Sequence, residues 1–205
     1  MRMAWKSLCF SAFGLLGMLP ACSDPVPPPS RAAAAIHIAG PISGTGRCTP
    51  DAHFATVPHN PAGLARVTES TIGDRSVDGE GGALVKCSVK PSGDKFVVEA
   101  NLSVPALDPK GMPLNNTIMT LSTTVGPEES GAAASFLLQD DHTESSFTSS
   151  KCKVSVKKNA PTDGLEIAPG KIWAAVTCTE LKDQKDPESG CDLDSGYIVL
   201  ENCDQ

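Results

Sequence analysis

Residues 95–104 carry an apolar side chain at every second position, and this spacing constrains the fold more than any other feature of the chain. The apolar set is Phe96, Val98, Ala100, Leu102 and Val104. Successive side chains of a β-strand point to opposite faces, so the pattern predicts a strand with one face in a core and the other in water. A helix needs a period near 3.6 residues, and we place no long helix because no window of 11 or more residues shows one.

Similar alternations recur along the chain, separated by Gly, Pro, Asn, Asp and Ser. They predict strands at 84–89, 117–125, 133–139, 151–157, 171–179 and 196–203, with an edge strand at 36–39. Two of them have clear inner faces, formed by Cys152, Val154 and Val156 and by Ile172, Ala174, Val176 and Cys178. Strands with one polar face are typical of antiparallel sheets. The predicted fold is mainly β, either an antiparallel β-sandwich or a flattened barrel of about seven or eight strands.

The N-terminal residues have the pattern of a secretory signal peptide. Arg2 and Lys6 precede an apolar run at 8–19. This run of about 12 residues is too short to span a bilayer as a helix, which needs roughly 20, but it fits the apolar core of a signal peptide. The sequence therefore predicts an exported chain.

The signal ends in Leu19-Pro20-Ala21-Cys22, which resembles the lipobox of bacterial lipoproteins. The resemblance covers the first 22 residues, and the layout of the whole chain is similar to bacterial surface lipoproteins. It implies removal of residues 1–21 and a lipid anchor, palmitate included, on the thiol of Cys22. Ser23 resembles the outer-membrane sorting pattern, which implies an outer-membrane or cell-surface location. The alternative is a plain secreted protein cut at an A-x-A pattern within residues 32–35.

A proline-rich stretch follows the lipobox cysteine. Residues 25–29 contain four prolines, which favour extended polyproline geometry. We predict three segments: the signal peptide at 1–21, the lipidated cysteine and a Pro/Ala-rich tether at 22–35, and a single β-sandwich-like domain at 36–205. Loss of Arg2 and Lys6 with the signal takes the formal net charge from −7 to −9. Such an acidic domain has no basic face for phosphate, so we expect no nucleic-acid partner.

Six cysteines follow Cys22: Cys48, Cys87, Cys152, Cys178, Cys191 and Cys203. An even number in an exported chain predicts disulfides, here three, with 15 connectivities open. The best single pair is Cys178–Cys191, because these residues flank a polar loop between two predicted neighbouring strands. Cys203 would then bond to Cys152, Cys87 or Cys48.

Clusters of polar residues raise the question of metal binding. The stretch 182–196 contains Asp183, Asp186, Glu188, Asp192 and Asp194, and clustered carboxylates can bind Ca²⁺. Its spacing does not match an EF-hand, so we interpret it as a solvated acidic loop. The sets Asp51, His53 and His59, and Asp140, Asp141 and His142, contain ligand types that Zn²⁺ uses, but they match no zinc spacing. We interpret His37 as an outward-facing strand residue, and we predict no metal site and no cofactor.

The chain also lacks G-x-S-x-G, S-x-x-K and H-E-x-x-H, so we predict no catalytic residues and no enzyme. The sequence as a whole predicts a membrane-anchored envelope or surface lipoprotein with a non-catalytic structural or recognition role. Its partners are the membrane, through the lipid anchor, and envelope proteins. The alternative is a module that presents a small-ligand or metal site at the envelope.

Overall fold

The computed structural model describes residues 26–43, 52–54, 76–107, 113–140, 145–158, 164–184 and 190–205. Every regular element in these ranges is a β-strand, as the alternating pattern predicts. The strands are β1 (Arg31–Ser43), β2 (Ala52–Phe54), β3 (Ser76–Val77), β4 (Leu84–Ser92), β5 (Lys95–Leu107), β6 (Pro113–Val125), β7 (Ala132–Asp140), β8 (Ser145–Ser155), β9 (Glu166–Ala168), β10 (Lys171–Asp183) and β11 (Gly190–Glu201). The count exceeds the predicted seven or eight because β2, β3 and β9 are too short to show a period.

The strands form one antiparallel sheet that curls into a nearly closed barrel, which is the second of the two predicted architectures. The order across the sheet is β2-β1-β11-β10-β8-β7-β6-β5-β4, with β3 paired to β1 and β9 to β10. Consecutive strands from β4 to β8 are neighbours, so this part is a simple meander. The wall then continues through β10 and β11 to β1, which brings the first long strand beside the last.

The domain begins earlier than predicted, because β1 starts at Arg31 rather than at residue 36. Ala32 and Ala34 are buried in the core, and Ala33 is buried on the opposite face. The sequence predicts residues 31–35 to be part of the tether because alanine has a low propensity for β-strands. Nor is β1 the predicted edge strand, since it pairs with β11 on one side and with β2 and β3 on the other.

The C-terminal residues close the barrel against β4. The amide of Val89 donates to the carbonyl of Asp204 at 2.8 Å, and the amide of Asp204 donates to the carbonyl of Cys87 at 3.0 Å. The turn between β9 and β10 joins the same seam, because the amide of Gly170 donates to the carbonyl of Val89 at 3.0 Å. Backbone groups in the middle of β4 are thus satisfied by the C-terminal segment and by the β9–β10 turn.

Two disulfides lie within the described residues, and they correct the predicted pairing. Cys87 bonds to Cys203, one of the alternatives left open, and Cys152 bonds to Cys178. The predicted pair Cys178–Cys191 is wrong: the residue opposite Cys178 on β10's other neighbour, β11, is Leu193, whereas the residue opposite it on β8 is Cys152. Cys191 is also disulfide-bonded. Cys22 and Cys48 lie outside the described residues.

The interior of the barrel is filled by one continuous cluster of buried side chains drawn from all the long strands. Every residue of the predicted inner faces of 95–104, 151–157 and 171–179 belongs to this cluster or, in the case of Phe96, packs against it. A second, smaller cluster lies on the outer face of β1, β11 and β10, where Trp173 packs with Ala33, Val199 and Tyr197. Among the described residues no helix is long and apolar enough to cross a membrane.

The two ends of the barrel differ in what they carry. We call the basal end the one formed by Ser30, the β4–β5 and β6–β7 turns, Gly170 and Asn202. The apical end is the one where β1 reaches Ser43, β10 reaches Asp183 and β11 begins at Gly190. Antiparallel pairing of Arg31 with Glu201 and of Lys182 with Gly190 fixes this assignment.

Candidate functional site

A groove lies on the outer wall of the barrel, across β5, β6, β7, β8 and β10. Its volume is about 720 Å³. Six hydroxyl side chains line it, from Thr120, Ser122, Ser135, Thr148, Ser149 and Ser150, so we call it the hydroxyl groove. Charged lining residues lie only near its two sides, Glu99 on β5 and Lys151, Glu180 and Lys182 by the β8–β10 seam.

Strand register arranges the lining residues in two rows that run across the sheet. In the first row, Glu99 pairs with Ser122, and Ser122 pairs with Ser135. In the second, Leu137 lies between Thr120 and Thr148, and Thr148 pairs with Lys182. Neighbouring strands are about 4.8 Å apart, so the groove spans about 19 Å from β5 to β10. It is therefore long enough for an extended ligand rather than a single small molecule.

Irregular backbone shapes the β8–β10 side of the groove. Between the pairs Cys178–Cys152 and Lys182–Thr148 the two strands form no ladder pair within this described stretch. The hydroxyl of Ser149 instead donates to the carbonyl of Thr179 at 3.1 Å, and the amide of Glu180 donates to Oδ1 of Asp192 at 3.1 Å. Glu180 has a φ of 57°, a conformation that costs a non-glycine residue free energy. Bulges and positive φ values concentrate beside binding sites, where they re-aim side chains.

An ion pair between Lys151 and Glu180 lies at the β8–β10 side of the groove. Lys151 Nζ lies 2.5 Å from Oε2 of Glu180, and both side chains are more than half exposed. The hydrogen bond from Lys151, followed by the positive charges of Lys151 and Lys182, lowers the pKa of the Glu180 carboxyl below its usual 4.5. Glu180 is therefore ionised at neutral pH and compensates one of the two lysines, which leaves a single net positive charge at this end.

The chemistry of the lining suits binding better than reaction. Each hydroxyl can donate one hydrogen bond and accept others, so the floor can match ligands that carry both donors and acceptors. Leu137 is half-buried and adds a small apolar strip between Thr120 and Thr148. A hydroxyl nucleophile needs a base within hydrogen-bonding reach. Ser149 already donates to a backbone carbonyl, and it accepts a hydrogen bond from the amide of Lys151 at 2.9 Å.

The sequence analysis did not single out these hydroxyl residues. Three of the six, Thr120, Ser122 and Ser135, lie on strands predicted from the sequence, but outward-facing Ser and Thr are also the ordinary solvent face of a half-buried strand. The richness of 117–125 in Thr and Ser is the one signal that pointed toward them. Nothing in the order of residues along the chain shows that β6, β7, β8 and β10 lie side by side.

The residues considered for metal binding are dispersed or lie outside the described parts. Asp183 ends β10, and Asp192 lies on β11, where it accepts the hydrogen bond from Glu180. His53 lies on β2 and Asp140 on β7. Asp51, His59, Asp141, His142, Asp186 and Glu188 lie outside the described residues, as do the side chains of His37 and Asp194. Within the described parts no group of three His, Cys, Asp or Glu side chains has the geometry to hold a metal ion.

Comparisons of the chain with protein-family models, with curated proteins and with solved structures found no match. The sequence and the geometry of the barrel are therefore the basis for assigning a function.

Proposed function

We propose that this chain is a lipid-anchored envelope protein of a bacterium, displaying a barrel that recognises an extended, uncharged, polyhydroxylated ligand such as a glycan chain. The role is recognition without catalysis. The hydroxyl groove is the observation that carries this proposal: hydroxyls from neighbouring strands line its floor, and charges are confined to its sides.

The position of β1 supports anchoring at Cys22 over cleavage within residues 32–35. Ala32 and Ala34 are buried in the core, and Arg31 pairs with Glu201 across the β1–β11 ladder. A chain cut within 32–35 would lose these residues and the pairing of β1 with β3. A chain cut before Cys22 keeps the whole strand and the prolines that precede it.

The composition of the groove favours a glycan over a peptide. Peptide recognition relies on exposed strand edges or apolar pockets, whereas this surface is the polar face of a sheet whose strands pair with one another except along one short stretch of β8 and β10. Sugar hydroxyls donate and accept hydrogen bonds as the groove hydroxyls do, and Leu137 can contact the C–H face of a sugar ring. The breadth of about 19 Å accommodates several sugar units in a row.

Two measurements test the proposal separately. The intact mass of the protein extracted in detergent is expected to begin at Cys22 and to include acyl chains, and a lipid-free chain would contradict the anchor. Binding of the same preparation to an array of neutral and acidic bacterial envelope glycans, peptidoglycan fragments included, is expected to select neutral chains. Absence of binding to every glycan, with a folded protein, would overturn the ligand class.

A further inference from the structure

We propose that the contacts between the proline tether and the barrel fix the orientation of the domain on the membrane, with the basal end toward the bilayer. This inference rests on the proposed anchor at Cys22. It adds that the junction is a built contact rather than a free hinge, so that the hydroxyl groove opens parallel to the membrane plane.

Three hydrogen bonds hold the junction. The side-chain amide of Asn202 donates to the carbonyl of Pro29 at 3.0 Å, and the hydroxyl of Ser30 donates to the carbonyl of Asn202 at 3.0 Å. The amide of Asp78 donates to the carbonyl of Ser30 at 2.9 Å. The last residues before β1 are thus fastened on two sides, to the segment that follows β11 and to the turn that follows β3.

The backbone of Asn202 is shaped for this contact. Its φ of 55° is one that asparagine tolerates better than most residues, and it lets the carbonyl and the side-chain amide face the tether together. Pro28 and Pro29 border a small crevice with Arg31, Val77 and Asn202. Val26, three residues earlier than Pro29, is 90% exposed and therefore lies clear of the barrel.

The segment between Cys22 and the junction is short. Six residues, Ser23 to Pro28, separate Cys22 from the fastened Pro29. Fully extended, the seven Cα–Cα steps from Cys22 to Pro29 span at most about 25 Å. The barrel itself is about 30 Å tall, because a strand of 13 residues rises about 3.3 Å per residue and tilts by about 40°. A barrel inverted onto its apical end would hold the junction about 30 Å above the headgroups, beyond the reach of the tether, so in an upright barrel the basal end is the nearer one.

Topology then places the hydroxyl groove relative to the membrane. The tether joins β1, and the wall leads from β1 through β11, β10 and β8 to β7 in one direction. In the other direction, the C-terminal residues after β11 close onto β4, and β5 and β6 lead from there to β7. The centre of the groove is thus on the wall opposite the tether. A ligand bound there lies beside the barrel rather than beneath or above it.

Ion pairing reduces the attraction between the basal end and an anionic membrane, although Lys90, Lys157 and Lys158 stay exposed at that end. Arg31 pairs with Glu201, Lys171 with Glu166 and Lys95 with Glu129. These paired cations gain little from an anionic membrane, so any dependence of the orientation on salt would come from the three exposed lysines.

The test measures how near each end of the reconstituted protein lies to the lipid headgroups. A fluorescent non-natural amino acid replaces either Ser92, exposed at the basal β4–β5 turn, or Gln184, exposed at the apical end. The full-length lipidated protein is placed in phosphatidylethanolamine and phosphatidylglycerol vesicles that contain nitroxide-labelled headgroups. Quenching is expected to be roughly threefold or more stronger at residue 92, because the ends differ in height by about 30 Å. Equal quenching at both positions would overturn the proposal.

Two variants distinguish the effect of the junction contacts on the orientation from the effect of the tether length. In the double variant Ser30→Ala with Asn202→Gly, which removes two side-chain donors and keeps a residue that accepts positive φ, the difference between the two positions is expected to shrink. Ten Gly/Ser residues inserted after Val26 leave the junction intact and are expected to weaken quenching at residue 92. A double variant that melts as the wild type does and keeps the full difference would contradict the role of the junction.

Failure of the anchor gives a different result from failure of the orientation. A Cys22→Ser chain is expected to stay off the vesicles entirely. If the wild-type mass shows no acyl group and the chain does not bind vesicles, the proposed function and this inference both fall. If it is acylated and bound but both ends are quenched alike, only the orientation is wrong.

Discussion

The amide of Cys203 donates to the carbonyl of Gly170 at 2.9 Å, and this bond joins the C-terminal segment to the β9–β10 turn where the barrel closes. Gly170 has a φ of 74°, and a Cβ atom built on it would lie 2.9 Å from the carbonyl oxygen of Cys203. The turn residue is therefore constrained both by its own backbone and by its neighbour.

We expect Gly170→Ala to destabilise the fold by more than an equivalent change at an open turn. Gly93→Ala is the matched control, since Gly93 has a φ of 66° and no atom within 4 Å of the added Cβ. We expect Gly93→Ala to lower the free energy of unfolding by about 1–2 kcal/mol, because alanine disfavours the left-handed backbone. Gly170→Ala is expected to lower it by about 1–3 kcal/mol more, because the added Cβ must displace the C-terminal segment. Urea denaturation measures both. Equal losses of unfolding free energy in the two variants would show that the C-terminal segment moves away from residue 170 at no cost.

Removal of the two described disulfides is expected to have unequal effects. Cys87–Cys203 spans a sequence separation of 116 and Cys152–Cys178 one of 26. The entropy lost by the unfolded chain predicts about 4–5 kcal/mol for the first and about 3–4 kcal/mol for the second. Double Cys→Ala variants of each pair, compared by chemical denaturation, are expected to differ by about 1 kcal/mol in that order. The reverse order would indicate that native-state packing around Cys152 and Cys178 dominates.

The outer-face cluster depends on a polar contact. Nε1 of Trp173 donates to Oε1 of Glu201 at 3.2 Å, and both residues are at least 90% buried. Trp173→Phe takes this donor from a buried carboxylate, so we expect a loss of about 1–3 kcal/mol in the free energy of unfolding. Arg31→Gln, which removes the half-exposed ion pair on the other carboxylate oxygen, is expected to cost no more than about 1 kcal/mol. A larger loss for Arg31→Gln would mean that the ion pair is the principal contact.

Acid stability should respond to one carboxylate in the β6–β7 turn. The hydrogen bond from the amide of Gly126, at 2.6 Å, and then the contact with Lys95 lower the pKa of Glu129 below 4.5. Because the folded-state pKa is lowered, this contribution is fully present above pH 4.5 and is lost as the pH falls through the folded value. Glu129→Gln is therefore expected to be less stable than wild type at neutral pH and to approach it in acid. Glu128→Gln, which removes the same charge but neither contact, is expected to leave the acid dependence of stability unchanged.

Ligand binding should depend on the hydroxyls that face the groove and not on their neighbours outside it. Ser122→Val and Thr148→Val each remove a hydroxyl from the lining. Each lost hydrogen bond is worth about 0.5–1.5 kcal/mol, which weakens glycan binding by roughly 2- to 10-fold. Thr124→Val makes a similar change on the outer face of β6 beyond the groove, and we expect it to leave affinity unchanged. Equal effects at positions 124 and 148 would argue against the groove as the site.

The strands that the sequence predicts best are those whose period of two continues through apolar residues with high β-propensity. Residues 95–104 are such a case, and β5 covers them completely. The prediction fails where propensity and structure disagree, as in the alanine run of β1, whose strand conformation is imposed by its pairing with β11. The sequence of residues 31–43 alone does not indicate this pairing, because β11 lies at the other end of the chain.

The disulfide error and the missed groove have a common physical origin. Cys178 and Cys191 are near in sequence, but register shifts in β10 and β11 leave Cys191 opposite Leu181 instead. The groove likewise depends on which strands are neighbours and on how their registers align Thr120, Leu137 and Thr148. Alternation predicts which way a side chain faces; it does not predict what stands beside it.

The pairing of the first long strand with the last also determines when the barrel can form. Ser30 and Asn202 are in contact although 172 positions separate them. A chain that emerges from a ribosome or an export channel, N-terminus first, leaves β1 without its main partner until the final dozen residues have appeared. Pairings between such distant segments form slowly, on the scale of milliseconds to seconds for all-β domains. With the anchor proposed at Cys22, the barrel would complete its pairing while the chain is already held at the membrane surface.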